Sequence, residues 1–242
     1  VNSINWARIM IQIVYYFSAL SQYKRLEKNI NFIVPTGNFG DIFAGYIAKK
    51  MGLPIHKLVI ATNVNNILER CLKTGVYEIF DSIQTNSPSM DIQISSNFER
   101  ILFDLLDMRS GAVEKKMSQL KENGKFELNN SELKSFNNNF DAGSLNQDET
   151  VKIIKDMYNK SHQIIDPHTA IAVGVHYKNS YENSIVLSTA HAAKFPDTVM
   201  KAIGINPELP NISEDIYKLH ENIIDLPNDV GDISAFIKKN FS

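Results

Sequence analysis

An α/β fold, a mostly parallel sheet with helices on both faces, is predicted by two observations. Short apolar runs of strand character alternate with stretches of helical spacing through the first seventy or so residues, and a glycine-punctuated turn joins the first of these runs to the next helix. The alternation begins with a helix over Ile4–Leu26, with Ile9, Ile13, Tyr16, Phe17 and Leu20 at its spacing and Asn2 or Ser3 as cap. Asn31–Pro35 reads as a buried strand, Thr36–Gly40 as a turn, and Asp41–Met51 as a helix closed by Gly52-Leu53-Pro54. Lys57–Ala61 is the next strand and Asn65–Lys73 the next helix. The central strands expected are Phe32–Val34, Leu58–Ile60 and Ile185–Leu187.

The middle is less regular. Helices are expected near Asn97–Asp107, Ala112–Glu122, Thr150–Lys160 and Pro167–Tyr177, with Ser184–Ser188 as another buried strand. Asn137–Asn139 and Gly143-Ser144 mark an exposed loop, and a last helix falls near Asp229–Lys239. Met51, Met90, Met157 and the aromatic residues of the first helix read as core.

Composition narrows the function classes. The chain has 242 residues, 43% of them hydrophobic, and a net charge of −2, so no broad basic surface calls for nucleic acid or an anionic membrane. Cys71 is the one cysteine, which excludes an intrachain disulfide and a thiolate metal cluster and predicts a reducing, cytoplasmic setting. The histidines show no metal-ligand spacing and read as surface or packing residues, so no metal is expected. No apolar run is long enough for a transmembrane helix. The chain opens on Val1 rather than Met and directly into a helical pattern, which predicts a piece of something longer.

The segment richest in chemistry is Val34–Phe43. A strand ends there and a helix begins, the place where open α/β sheets bind ligands. Gly37 and Gly40 allow φ > 0 or close approach of an anion, and the first helical amides and the helix dipole suit phosphate. No Gly-Lys-Ser/Thr follows, so this is not a Walker A loop, and the dinucleotide fingerprint is absent too. Asp41 is an awkward neighbour for a phosphate, and capping the helix is the role expected of it.

The wording Pro35-Thr-Gly-Asn-Phe-Gly-Asp-Ile42 resembles the cofactor-phosphate loop of the threonine synthases of the bacterial and fungal branch. Further segments agree in order: Asn2–Arg8, Ala61–Asn65, Ser89–Ile92, Asp166-Pro167-His168 and Ser188–Phe195. The resemblance spans essentially residues 1–242. It implies the pyridoxal 5′-phosphate (PLP) fold of the tryptophan synthase β chain, here as the C-terminal portion of the large PLP-binding domain with the N-terminal portion absent. It implies that Gly37, Asn38, Phe39, Gly40 and Asp41 cradle the PLP phosphate and that Thr189 offers its hydroxyl to the pyridine nitrogen. Ser3, Asn5 and Arg8 would hold the substrate's anionic groups.

The activity implied is that of a lyase of threonine biosynthesis, converting O-phospho-L-homoserine and water to L-threonine and phosphate. The family's Schiff-base lysine lies in a Phe-Lys-Asp context, and no Phe-Lys-Asp occurs in this sequence. No catalytic residue is therefore assigned, and the chain is expected to be an incomplete, inactive fragment. Lys194, flanked by Ala193 and Phe195, is the candidate replacement base if those neighbours desolvate it. The family already has a lysine there beside its catalytic one. His191 reads as a helix cap, and Ala192 stands where the family usually has proline. The alternatives are another PLP-dependent lyase of the same fold, or a non-catalytic phosphate- or PLP-binding remnant.

Overall fold

The computed structural model describes residues 4–23, 30–210 and 218–241, in two compact units, Val1–Pro207 and Glu208–Ser242. The first unit begins with α1 (Trp6–Gln22), β1 (Ile30–Pro35), α2 (Gly40–Lys50), β2 (Ile55–Thr62) and α3 (Ile67–Thr74). There follow β3 (Val76–Glu78), α4 (Phe98–Leu105), α5 (Ser110–Asn123), β4 (Lys125–Glu127), α6 (Asn130–Asn139) and β5 (Phe140–Ser144). The unit ends with α7 (Gln147–Ser161), α8 (Pro167–Asn179), β6 (Ser184–Val186) and α9 (Pro196–Ile203). In the second unit, α10 (Val230–Phe241) buries none of its residues.

The main sheet runs β5-β2-β1-β6 and every pairing is parallel, while β3 and β4 form a separate antiparallel pair. All six residues of β1 are buried, because successive side chains leave opposite faces of a strand and both faces are covered. Ile30, Phe32 and Val34 join the core made with α1, α2, α3 and α4. Ile33, with Val59 and Ala61 of β2, packs on Ile171, Ala172 and Val175 of α8.

α1 lies so close to α2 that only glycine fits at position 45. A Cβ there would come within 2.5 Å of the Tyr16 ring and 2.7 Å of Leu58 Cδ2. Gly45→Ala is expected to destabilise by roughly 1–3 kcal/mol, read by urea denaturation, since Tyr16 and Leu58 are themselves fully buried.

Several expectations are corrected. β6 is an edge strand rather than a central one: β1 pairs with it on one side, no other described strand pairs with it, and its three residues are half-buried. The expected loop at 137–144 is the end of α6 followed by β5. Gly143 belongs in that strand because a Cβ there would sit 2.9 Å from Val175 Cγ1, so a small residue lets α8 pack on the sheet. α1 starts at Trp6 with Asn5 as its cap, the Asn5 side chain accepting from the Ala7 amide. Asn2 and Ser3 lie outside the described residues; α1 ends at Gln22 with Tyr23 extended beyond it, short of the expected Leu26, and 24–26 lie outside them too. Tyr16 is buried, but Trp6, Tyr15 and Phe17 are exposed, so the aromatic residues of α1 are not one core stripe; Met51 is exposed as well.

Candidate active site

β1 and β6 are parallel neighbours in the register Ile33↔Val186, so the segments that leave them emerge at the same end of the sheet. From β1 the chain turns to β2 on one side, while β6 lies on the other, and such a switch in direction opens a crevice at the carboxyl ends of the strands. A cleft of about 240 Å³ lies there. Gly37, Asn38, Phe39, Gly40 and Asp41 line it from the β1 side, Thr189 from the β6 side, and Arg8 from α1. Asn5 is not among the lining residues, its side-chain oxygen being occupied as the α1 cap. Ser3 lies outside the described residues.

The loop is built differently from the expectation that Gly37 and Gly40 supply positive φ. Neither does; the left-handed residue is Phe39, with φ 62°. Left-handed backbone is unfavourable for a residue with a Cβ, by about 1–2 kcal/mol, and burial of the phenyl ring offsets it by roughly 2–3 kcal/mol. That ring is fully enclosed, 5.5 Å from the rings of both Phe98 and Phe140. Gly37 serves close approach instead, since a Cβ there would lie 2.4 Å from the Ser89 carbonyl oxygen.

Residues 95–97 strap the loop from outside. Ser95 Oγ donates to the Gly37 carbonyl at 2.7 Å, and the backbone and side-chain amides of Asn97 both donate to the Asn38 carbonyl at 3.0 Å. Ser96 Oγ donates to Asn38 Oδ1 at 3.1 Å, so the Asn38 side chain belongs to this strap. With the loop carbonyls so engaged, the first-turn amides of α2, which have no intrahelical acceptor, remain for a ligand.

The two recognised motifs around Asn63 and Asp91 hold the neighbouring segment. Asn63 Nδ2 donates to Asp91 Oδ1 at 2.8 Å and to Ser87 Oγ at 2.9 Å, and Asn65 Nδ2 donates to Asp91 Oδ1 at 3.1 Å. These bonds fix the turn that carries Ser89 against Gly37. The sequence carried these residues as wording only, because a buried polar knot has no periodicity to read.

Asp41 does not cap α2. Phe39 occupies the cap position without a side-chain bond, and Asp41 lies inside the first turn, where its Oδ1 is buried and has no hydrogen-bond partner. Burial pushes its carboxyl up to about 6, against a small opposing effect of Tyr16. The Tyr16 hydroxyl itself donates to the Asp41 backbone carbonyl at 2.8 Å. Because the folded value lies above the ordinary 3.8, protonation favours the folded state below about pH 4, and that contribution is lost as pH rises through 6. Asp41→Asn, neutral throughout, should therefore gain roughly 2–3 kcal/mol over the parent between pH 4 and 7.5, and should bind phosphate more tightly at pH 7.5. Urea denaturation at the two pH values checks this; a difference independent of pH would contradict it.

Thr189 is exposed, three residues beyond β6. Lys194 also lines the cleft but is exposed, so the desolvation that a replacement base would need is not found. His191 accepts from the Ala193 amide as a cap. His168, read from sequence as one of the surface or packing histidines, is buried and lines the same cleft. Among the described residues no cluster of His, Cys, Asp or Glu has the makings of a metal site, and no helix is long and apolar enough to cross a membrane.

Known proteins are similar to this chain in both sequence and fold. The family model described as "Threonine synthase, C-terminal" matches residues 169–237. The threonine synthase of Pseudomonas aeruginosa is 42% identical over 99% of this chain and 52% of its own length. The PLP-bound threonine synthase of Brucella melitensis superposes with a TM-score of 0.90 at 46% identity, covering 99% of this chain and 52% of that one. The yeast threonine synthase structure gives a TM-score of 0.85 at 40% identity, with 98% and 53% covered. The chain thus spans about half the length of the relatives it matches, and in sequence and fold together it is a relative of the threonine synthases.

Proposed function

We propose that the cleft binds pyridoxal 5′-phosphate and that this chain forms the phosphate-binding part of a threonine synthase, converting O-phospho-L-homoserine and water to L-threonine and phosphate. The observation that carries this reading is the convergence of the whole Gly37–Asp41 loop with Thr189 and Arg8 on one cleft at the carboxyl ends of adjacent parallel strands. The residues fit the group: first-turn amides of α2 suit a phosphate, and the unpartnered Asp41 carboxyl, whose pKa burial raises to about 6, could donate to one of its oxygens once protonated.

PLP, when bound, supplies an electron sink for charge developing at the substrate's Cα. The chain's residues do the rest of the binding. The α2 amides would hold the phosphate, and the close packing of Gly37 on Ser89 keeps them in register. The Thr189 hydroxyl would face the ring nitrogen, and a hydroxyl there, unlike an aspartate, would not favour a protonated ring. Arg8, exposed on α1, offers a guanidinium to the substrate's phosphate or carboxylate. None of the lining residues holds an amine in a desolvated position, so the group that takes the protons from Cα and Cβ would have to come from outside them, as the resemblance implies for the Schiff-base lysine.

Gly40→Val is the direct test of the loop. A β-branched side chain at the first residue of α2 restricts the backbone and bars close approach of an anion. The dissociation constants for inorganic phosphate and for PLP should both rise about tenfold or more, the loss of roughly one charge-assisted hydrogen bond. Unchanged binding of both, by titration calorimetry, would remove the loop from the site.

A further inference from the structure

α8 opens with a buried acid and a buried imidazole clamped together. Asp166 Oδ1 accepts from the His168 amide at 2.9 Å and from His168 Nδ1 at 2.9 Å, and Asp166 Oδ2 accepts from the Thr169 hydroxyl. The Asp166 side chain is wholly buried and that of His168 is 5% exposed. The imidazole also packs on the Phe195 ring at 4.7 Å. One nitrogen is thus held by a carboxylate and one ring face by an aromatic, which fixes where the other nitrogen lies. That atom, Nε2, is buried, has no hydrogen-bond partner, and belongs to a residue lining the cleft.

An orphaned buried nitrogen on so well-held a ring is costly unless a ligand pairs it, and a histidine serving packing alone has no need of the carboxylate clamp. The location narrows the ligand. Thr169 Oγ1 lies 3.3 Å from Ser188 Oγ, which ties the Asp166–His168 pair to the segment carrying Thr189, whereas the Gly37–Asn38 end is tied to residues 95–97. His168 therefore belongs with the Thr189 and Phe195 side of the cleft.

We propose that His168 is a ligand-binding residue, positioned by Asp166, whose Nε2 hydrogen-bonds the ring portion of a phosphorylated pyridoxal-type molecule. This rests on the PLP reading of the cleft. With Nδ1–H given to Asp166, Nε2 accepts when the imidazole is neutral and donates when it is protonated, and a hydroxypyridine ring offers a partner for either.

The test uses the full chain, ¹⁵N-labelled, with imidazole and amide spectra recorded during titration with inorganic phosphate and then with pyridoxine 5′-phosphate, which has no aldehyde to label lysines. Phosphate should move the Gly40 and Asp41 amides and leave His168 Nε2 in place. Pyridoxine 5′-phosphate should move all three. His168→Phe, which keeps a ring against Phe195, should weaken pyridoxine 5′-phosphate binding about tenfold and phosphate binding less than about twofold. Should that variant fold poorly, the parent chain's His168 signal decides alone. Loop amides that respond to pyridoxine 5′-phosphate while Nε2 does not would overturn this inference and leave the cofactor reading standing. No response of loop or imidazole to either ligand would overturn both.

Discussion

A polypeptide of these 242 residues, given PLP and O-phospho-L-homoserine, is expected to release no measurable phosphate and to make no threonine. The chemistry needs a group that takes protons from Cα and Cβ and gives one to Cγ as phosphate leaves, and positioned acid–base transfer alone is worth ~10²–10⁴-fold. Lys194 is the lysine among the residues lining the cleft, and it is exposed, solvated by water rather than held against a ring. Supplying a polypeptide that carries the family's Phe-Lys-Asp segment, fused or in trans, should restore turnover if the two assemble. Phosphate release, followed by borohydride reduction and peptide mapping, measures this. Turnover by the bare chain with PLP trapped stoichiometrically on Lys194 would contradict the expectation and make Lys194 the catalytic residue.

Gly37→Val should have the largest effect on binding of any single substitution in the loop. Its Cβ would fall 2.4 Å from the Ser89 carbonyl oxygen and 3.4 Å from the Ser89 carbonyl carbon, both backbone atoms. Ser89 cannot retreat cheaply, because Ser87 and Asp91 on either side of it are bonded to Asn63. The loop must move instead, dragging the first turn of α2 from its register. A stability loss of roughly 2–4 kcal/mol and a loss of PLP affinity of about a hundredfold are expected. Gly111→Ala, whose Cβ meets nothing within 4 Å in α5, is the control and should gain about 0.5–1 kcal/mol from helix propensity. Equal behaviour of the two variants in denaturation and in binding would contradict the packing argument.

The parts of the fold that sequence made legible are those where one local signal decides. β1, α2 and β2 follow from apolar runs punctuated by Gly and Pro, and their arrangement places the loop where it was expected. β5 was hidden because its requirement is smallness: Ala142 and Gly143 are chosen by the approach of α8, which no strand propensity registers. Burial within α1 was misjudged because its apolar residues surround the helix, and spacing does not tell which of them meet α2. That Gly37, Gly40 and Thr189 line one cleft was legible through motif wording, though their binding roles are proposals. The left-handed Phe39 was not, since its conformation is held by Phe98 and Phe140, distant in sequence. His168 read from sequence as a surface or packing residue and is buried; its bond to Asp166 has a trace in the adjacent Asp-Pro-His, whereas the missing bond at Nε2 has none.

A crystal structure of the chain with pyridoxine 5′-phosphate tests the central claim most directly. The phosphate should sit on the amides of Gly40 and Asp41 at the start of α2, with the ring nitrogen accepting from the Thr189 hydroxyl. A phosphate elsewhere on the surface, or a ring bound in this cleft with Thr189 turned away from it, would contradict the assignment of the site.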